Sequence, residues 1–300
     1  MSPAPSQGGG LLLNGADFDA NVWANAKTYV DLPVADIETA VPELQGLEAD
    51  ASQEGLSSLL DGIGKSCEEL MHHTPNVASR EEQDTSQRMV SRVWQGVMQP
   101  MSTPPAHEHQ EFQYLLLSRP TDTGVEFHEY RADKHGQPVA NSGSHLGQMT
   151  QGFISEWLRL LPGNQAQLRF RYLGRQIVDS RKTLVVAFAQ IPTQAKFPAQ
   201  FVFDGIPITV LFQGVVWVDA SDFRIVRLRE DLLAPRPDIY LKQLTAQIRF
   251  GEVAIEKAGT ALWLPQAVTI AWEYKGLAAE QRHVYSDYRL YAVKTRIITE

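Results

Sequence analysis

Eight histidines, one cysteine and a scatter of carboxylates are the side chains through which this 300-residue chain could bind metal or do acid–base and nucleophilic chemistry. His107-Glu108-His109 places two imidazoles two residues apart, the spacing that sends both to one side of a strand. A metal site needs three or four converging ligands. No third His or Cys lies at a diagnostic spacing from this pair or from the adjacent His72 and His73, so no metal site is expected and His107 and His109 are read as solvated. Hydrolysis by a serine nucleophile asks for Gly-x-Ser-x-Gly on a strand-to-helix turn; Ser142-Gly143-Ser144 lacks that spacing and reads as loop. Cys67 falls on the apolar stripe of a helix, where burial makes a thiol inert. Asp219 and Asp222 are explained by a hairpin turn. Glu129 with Arg131, and Arg169 with Arg171, are expected in cross-strand ion pairs or on solvated faces. The glycines at 8–10 follow no strand and make no phosphate cradle. No catalytic residue and no cofactor is expected.

The aromatic residues point elsewhere. Trp157, Trp217, Trp263 and Trp272, with Phe153, Phe170, Phe212 and Phe250, could line an apolar cavity inside a sheet that does not close. Apolar walls with few polar groups are what a lipid or acyl chain requires. The candidate ligand-binding residues are Phe153, Trp157, Phe212, Trp217 and Trp272. The competing reading is that these rings fill the core, as in most domains. Phe212 and Trp217 have opposite parity along one strand, so both face inward only if a bulge, expected at Gly214, shifts the alternation.

The elements that would hold these residues are mostly strands. Val210 to Asp231 reads as a β-hairpin: an apolar face at Val210, Phe212, Val216 and Val218, turn residues at Asp219–Asp222, and renewed alternation from Phe223. Further strands are expected at Phe112–Ser118, Val125–Ala132, Ala166–Leu173, Arg181–Gln190, Phe201–Phe203, Tyr240–Phe250, Val253–Glu256, Leu262–Tyr274 and Gln281–Ile298. No helical pattern separates the later strands, which argues for antiparallel rather than parallel pairing. Their length suggests a large curved sheet or partial barrel. Helices are expected over Asp17–Val30, after Pro33, over Leu56–Met71 and over Met149–Leu161, the last with an apolar face broad enough to rest on a concave sheet. Residues 79–97 are ambiguous: Ser79 to Gln87 is mostly polar, and Met89 to Val97 fits a helix stripe or a strand. The expected division is a disordered tail at 1–10, a helical segment at 11–76 and a curved-sheet domain at 77–300.

The chain is 43% hydrophobic and 21% charged, an ordinary globular composition, with net charge −8. That charge is uneven: residues 1–85 carry 15 acidic and 3 basic side chains, and the remainder 20 and 24. An acidic leader on a near-neutral body excludes nucleic acid as the expected partner, since phosphate binding wants a concentrated basic surface. No apolar run approaches a membrane span. The first ten residues lack the basic start and apolar core of a signal peptide. A single cysteine permits no intramolecular disulfide.

Two resemblances add to this. The arrangement VWVD, turn, FRIVRLRED, followed by long alternating strands, resembles the LolA-like half-barrel of periplasmic lipoprotein carriers over roughly residues 110–298. In that fold a curved antiparallel sheet holds helices on its concave face. The phrases at 28–47, 169–176, 185–190, 214–239 and 262–268 (among them TYVDLPVADIETAVPELQGL and GVVWVDASDFRIVRLREDLLAPRPDI) resemble a family of uncharacterised secreted bacterial proteins. These resemblances imply an α+β fold dominated by a LolA-like sheet, and a periplasmic or secreted location. The expected function is a non-enzymatic binding protein for an apolar ligand, a lipid or a lipidated protein. Two alternatives stand beside it: an envelope interaction or scaffold module, recruiting a protein partner through the acidic leader or an exposed edge strand, and a hydrolase whose site is assembled only by the fold.

Overall fold

A computed structural model of the chain describes residues 20–23, 25–95, 97–121, 124–139, 156–195, 199–203, 206–255, 259 and 261–291. In order along the chain the strands are β1 (Glu48–Ala49), β2 (Val77–Met89), β3 (Ser91–Trp94), β4 (Val97–Pro100), β5 (Ala106–Thr121), β6 (Gly124–Ala132), β7 (Leu168–Val178) and β8 (Arg181–Gln190). They continue with β9 (Ala199–Phe203), β10 (Ile206–Val210), β11 (Phe212–Asp219), β12 (Ile225–Leu232), β13 (Leu241–Val253), β14 (Leu262–Tyr274) and β15 (Leu277–Leu290). The helices are α1 (Val34–Ala40) and α2 (Leu56–His73). Eleven strands form one open antiparallel sheet in the order β1-β7-β8-β11-β12-β13-β14-β15-β2-β5-β6; β9–β10 and β3–β4 are separate two-stranded ribbons. This is the α+β architecture with a large curved antiparallel sheet expected from the alternation.

Most neighbours in the sheet are joined by hairpins. The long-range pairings are β1 with β7 and β15 with β2, the latter from Leu277↔Met89 to Leu290↔Val77, which lays the last described strand against the first long one. The polar stretch at 79–87 is therefore a central strand. Met89 to Trp94 is also extended, running from the end of β2 through β3, and Val97 begins β4. Helix α2 buries Leu59, Ile63 and Cys67, the stripe its periodicity predicts, and ends where Thr74 Oγ1 donates to the Leu70 carbonyl (2.7 Å). Of the helix expected over Met149–Leu161, residues 149–155 lie outside the described residues, and Glu156–Leu160 forms a 3-10 helix. Of the helix expected over Asp17–Val30, a 3-10 turn at Ala20–Trp23 is described. Residues 1–10 and 292–300 also lie outside the described set.

Every residue of β11 is buried because the strand is covered on both faces. On one face the Arg159 guanidinium lies over the Phe212 ring (5.4 Å) and donates to Glu230 of β12 (2.6 Å). On the other, Trp217 Nε1 donates to Gln176 Oε1 (2.7 Å), and the Gln176 amide donates to the carbonyls of Glu43 (2.8 Å) and Gln45 (2.9 Å). The Tyr29 backbone N–H donates to Gln213 Oε1 (2.7 Å), and its hydroxyl to Asp231 (3.0 Å). The N-terminal segment thus covers the convex face of β7, β8, β11 and β12 and seals Ile37, Val41 and Leu44 from water. It also supplies β1 to the sheet edge, pairing with β7 at Gly174 and Arg175.

The parity conflict between Phe212 and Trp217 has a different resolution from the one expected. No bulge occurs at Gly214; Gln213 to Asp219 pair without interruption with β8, and the register shift against β12 falls between Trp217 and Val218. Phe212 and Trp217 point to opposite faces, and both are buried because both faces are covered. Gly214 serves close approach instead: an alanine Cβ there would lie 2.0 Å from the Arg229 carbonyl oxygen and 2.7 Å from Phe188 Cζ. The ring can tilt away, but the paired backbone cannot. Gly214→Ala is therefore expected to destabilise the protein by about 3 kcal/mol or more, read as a lower urea midpoint with an unchanged m-value.

Candidate ligand site on the concave face

The register of the sheet lays out the concave face in rows. One row runs Val216, Leu228, Ile248, Val268, His283, Gln83; the next runs Gly214, Glu230, Ala246, Ile270, Gln281, Thr85. A third joins Leu244, Trp272, Ala279 and Gln87. Apart from Glu230, each row is mainly apolar through β14; the first two turn polar at β15 and β2, and the third at β2 with Gln87. The concave face is thus divided along its length into an apolar half and a polar half.

At one end Trp157 fills the space between distant strands. Its ring stacks on Phe127 of β6 (centroids 6.2 Å apart). It also lines a gap shared with Cys67 and Leu70 of α2, Ile225 of β12, Phe250 of β13 and Trp263 of β14. Strand β6 is five places from β13 in the sheet order, so one indole touching both requires a strongly curled sheet. The remaining gap measures about 10 Å³, room for one water at most. Burial pushes the Cys67 thiol up to about 12, so it is inert, as expected.

The polar half centres on Glu81. Arg131 donates to both of its oxygens (Nε 2.6 Å, Nη2 2.8 Å), Tyr285 donates its hydroxyl (3.2 Å), and His283 Nδ1 lies 2.8 Å away. All four side chains are buried. Burial alone would raise the Glu81 pKa, but the Arg131 charge, the His283 hydrogen bond and the Arg131 hydrogen bonds outweigh it and hold the carboxyl at about 2. With Glu81 ionised, His283 Nδ1 carries the proton and donates. Burial lowers the His283 pKa despite that bond, so the ring is neutral near neutral pH. Of the donors that contact Glu81, the Arg131 guanidinium is thus charged, and Tyr285 and His283 are neutral. Glu81 is engaged by four donors, which leaves it poorly placed to shuttle protons.

Beside this network two amides are incompletely bonded. Gln281 is fully buried, and among the described residues neither its oxygen nor its nitrogen has a hydrogen-bond partner. Gln83 donates to Thr85 Oγ1 (3.2 Å), but its oxygen has no partner among the described residues. An unpaired buried polar group costs about 1–3 kcal/mol, so two in neighbouring rows are a concentrated local cost.

The five aromatic and apolar candidates separate as follows. Trp157 plugs one end of the concavity, Phe212 lies beneath Arg159 on the same face, and Trp272 sits in the third row between Leu244 and Ala279. Trp217 belongs to the convex face and is not part of a concave site. Phe153 lies outside the described residues. Arg131, expected in a cross-strand ion pair or on a solvated face, pairs across the sheet with Glu81 and is buried. Its partners Glu81 and His283, and the amides of Gln83 and Gln281, were not among the sequence candidates. The signal that could have found them is the run of polar residues at both parities in a strand too central to be solvated. His107 and His109 lie on β5, exposed, with His109 Nδ1 2.7 Å from Asp84. Among the described residues no three His, Cys, Asp or Glu side chains gather as metal ligands, and no helix is long and apolar enough to cross a membrane.

No family model and no curated protein matches the chain. Among solved structures, a DUF1329 family protein from Desulfovibrio piger is similar at 10% identity, with a TM-score of 0.38 over 80% of this chain and 94% of that one. A putative outer membrane lipoprotein-sorting protein domain from Vibrio parahaemolyticus is similar at 13% identity, with a TM-score of 0.36 over 77% and 90% of the two chains.

Two outcomes follow from this geometry. Trp157→Ala is expected to cost about 3–5 kcal/mol, because the curled sheet cannot collapse onto the space left; thermal denaturation reads it. The folded pKa values of Glu81 and His283 both lie below their ordinary 4.5 and 6.5, so the unfolded chain binds more protons and stability is lost as pH falls. The His283 part is fully present above 6.5 and declines below it; the Glu81 part is present above 4.5 and is lost toward about 2. A pH series of melting temperatures should therefore descend in two stages, and His283→Gln should remove the upper one.

Proposed function

We propose that the protein is a non-enzymatic, extracytoplasmic binding protein for an amphipathic ligand, a lipid or the lipid part of a lipidated protein, held against the concave face. The ligand's apolar part would lie on the Ile248–Val268, Ile270 and Leu244–Trp272 rows, and its polar part would reach the β15–β2 side. The observation that carries this reading is the fully buried Gln281 with both amide atoms unpaired, flanked by the open oxygen of Gln83. A core selected for stability alone favours an apolar residue at such a position. A ligand headgroup supplying the missing bonds explains why the glutamine is there. The extracytoplasmic placement rests on the resemblance of the phrases at 28–47 and 214–239 to those of secreted bacterial proteins. Because these side chains are buried, entry requires the concave face to open.

The hydrolase alternative is disfavoured by the engagement of Glu81, which has no proton to exchange near neutral pH. Recruitment of a partner by the acidic leader is disfavoured by internal pairing: Asp31 pairs with Arg169 and Glu43 with Arg229 (2.8 Å).

Native mass spectrometry of the exported protein, before and after solvent extraction, tests the proposal. A co-purifying lipid-sized mass is expected in the wild type and absent from Gln281→Leu. That variant should also melt higher by the equivalent of about 1–3 kcal/mol, since it removes an unpaired buried amide. A wild type without bound mass, or a Gln281→Leu protein that is destabilised and still loaded, would overturn it.

A further inference from the structure

The β3–β4 ribbon is the least explained part of the described surface. Its strands pair at Ser91↔Pro100, Arg92↔Gln99, Val93↔Met98 and Trp94↔Val97, and Gln95, at φ +50°, begins the tight turn at its tip. Alternation puts Val93 and Met98 on one face and Trp94 and Val97 on the other. On an ordinary surface ribbon one of those faces would pack on the body. Here Trp94 is 53% exposed and Val97 62%, and on the other face Val93 is 39% exposed and Met98 half-buried; among the described residues none of the four joins the hydrophobic core. Among the described residues the ribbon thus carries apolar side chains on both sides, most of them exposed.

Its base is fixed. The backbone N–H groups of Val90 and Ser91 donate to the Gly276 carbonyl (2.8 and 3.3 Å), and Met89 N–H donates to Thr103 Oγ1 (2.9 Å). Gly276, in the β14–β15 turn at φ +81°, abuts the ribbon so closely that a Cβ would lie 2.1 Å from the Ser91 carbonyl oxygen. The ribbon is thus anchored to the end of the sheet where the Trp272–Ala279 row lies.

The charges at this end differ in sign from the protein as a whole. Arg88, Arg92, Lys242 and Lys275 are exposed there. Against them stand Glu280 and Glu273, the latter paired with Lys242 (3.1 Å). The Arg92 guanidinium lies over the Trp94 ring (5.3 Å), joining a cation to an amphipathic aromatic of the kind that favours the membrane–water boundary.

We propose that the β3–β4 ribbon is a membrane-insertion tip that seats this end of the protein on an anionic lipid bilayer, with Trp94, Val97, Val93 and Met98 entering the interfacial region and Arg88 and Arg92 meeting the headgroups. A protein partner docking on a flat surface would cover one face of the ribbon. A tip apolar on both faces is instead suited to immersion, and ribbon strands of four residues offer little of the area a stable protein interface needs. The proposal goes beyond the ligand reading and does not need the concave face to be occupied.

Flotation of the full chain with vesicles tests it. The protein is expected to float with vesicles of equal parts phosphatidylcholine and phosphatidylglycerol, and less with phosphatidylcholine alone. Trp94→Ser with Val97→Asp should weaken partition at least about tenfold. Arg88→Gln with Arg92→Gln should weaken binding to the anionic vesicles and abolish its dependence on added salt. Ile177→Asp, at a 71% exposed apolar residue at the far end of β7, should change nothing. These positions are exposed, so the variants fold, which circular dichroism confirms. The proposal is overturned if the wild type stays with the protein fraction in both vesicle types, if the tip variant floats as well as the wild type, or if Ile177→Asp costs as much as the tip variant. Bound mass and flotation are separate readouts, so either proposal can fail alone.

Discussion

Strand β11 is eight residues of continuous burial, Phe212–Asp219, and the layers of the protein are arranged to make that possible. A strand apolar on both faces must be covered on both. The inner cover comes from the 3-10 turn carrying Trp157 and Arg159, with α2 alongside it. The outer cover comes from the N-terminal segment, fastened by polar bonds rather than by hydrophobic contact alone. Asp231 is the main fastening point: it accepts from Tyr29, from Thr245 (2.6 Å) and from two nitrogens of Arg229 (2.8 and 3.0 Å), and Arg229 also pairs with Glu43. Remove the segment and Trp217, Val215 and their neighbours would face water, so leader and sheet form one cooperative structure.

The same arrangement explains the charge division. The acidic leader and the basic strands meet where Asp31 pairs with Arg169, Glu43 with Arg229, and the Leu32 carbonyl accepts from Arg171. Hydrogen bonds from Arg169 hold Asp31 at about 2. Part of the polarity that looks like a recruiting surface in one dimension is complementarity within the molecule in three.

How much of this was legible in the sequence follows from where each signal resides. Strands β8 and β14 were readable to the residue, because their alternation and bounding turns are local. The β11–β12 hairpin was readable too, since Asp219 accepts from Ser221 at its corner (2.9 Å from the backbone, 2.6 Å from the hydroxyl), which is short-range turn chemistry. The facing of Trp217 was not, because alternation assigns two faces without saying that both are covered. Nor was the polar half of the concave face. Ser79, Glu81, Gln83 and Thr85 look like a solvated stretch until β15 is laid beside them, and Glu81 meets His283 across a separation of 202 residues. No window along the chain contains that information.

That separation also bears on what the polar half contributes. Replacing a buried ion pair by apolar residues of similar size is often neutral or stabilising, whereas removing one partner alone typically costs about 3–5 kcal/mol. The Glu81–Arg131 pair is therefore a poor device for raising stability but a good one for fixing register: a slip of β2 against β15 or β5 by one residue would strand a charge in the interior. In a sheet whose first and last long strands must find each other, that selectivity has a clear use. The unpaired amide of Gln281 has no such use, because it discriminates between no two registers while it bonds to neither neighbour. The two kinds of buried polarity on one face thus call for different explanations, one in the assembly of the sheet and the other in what the finished sheet holds.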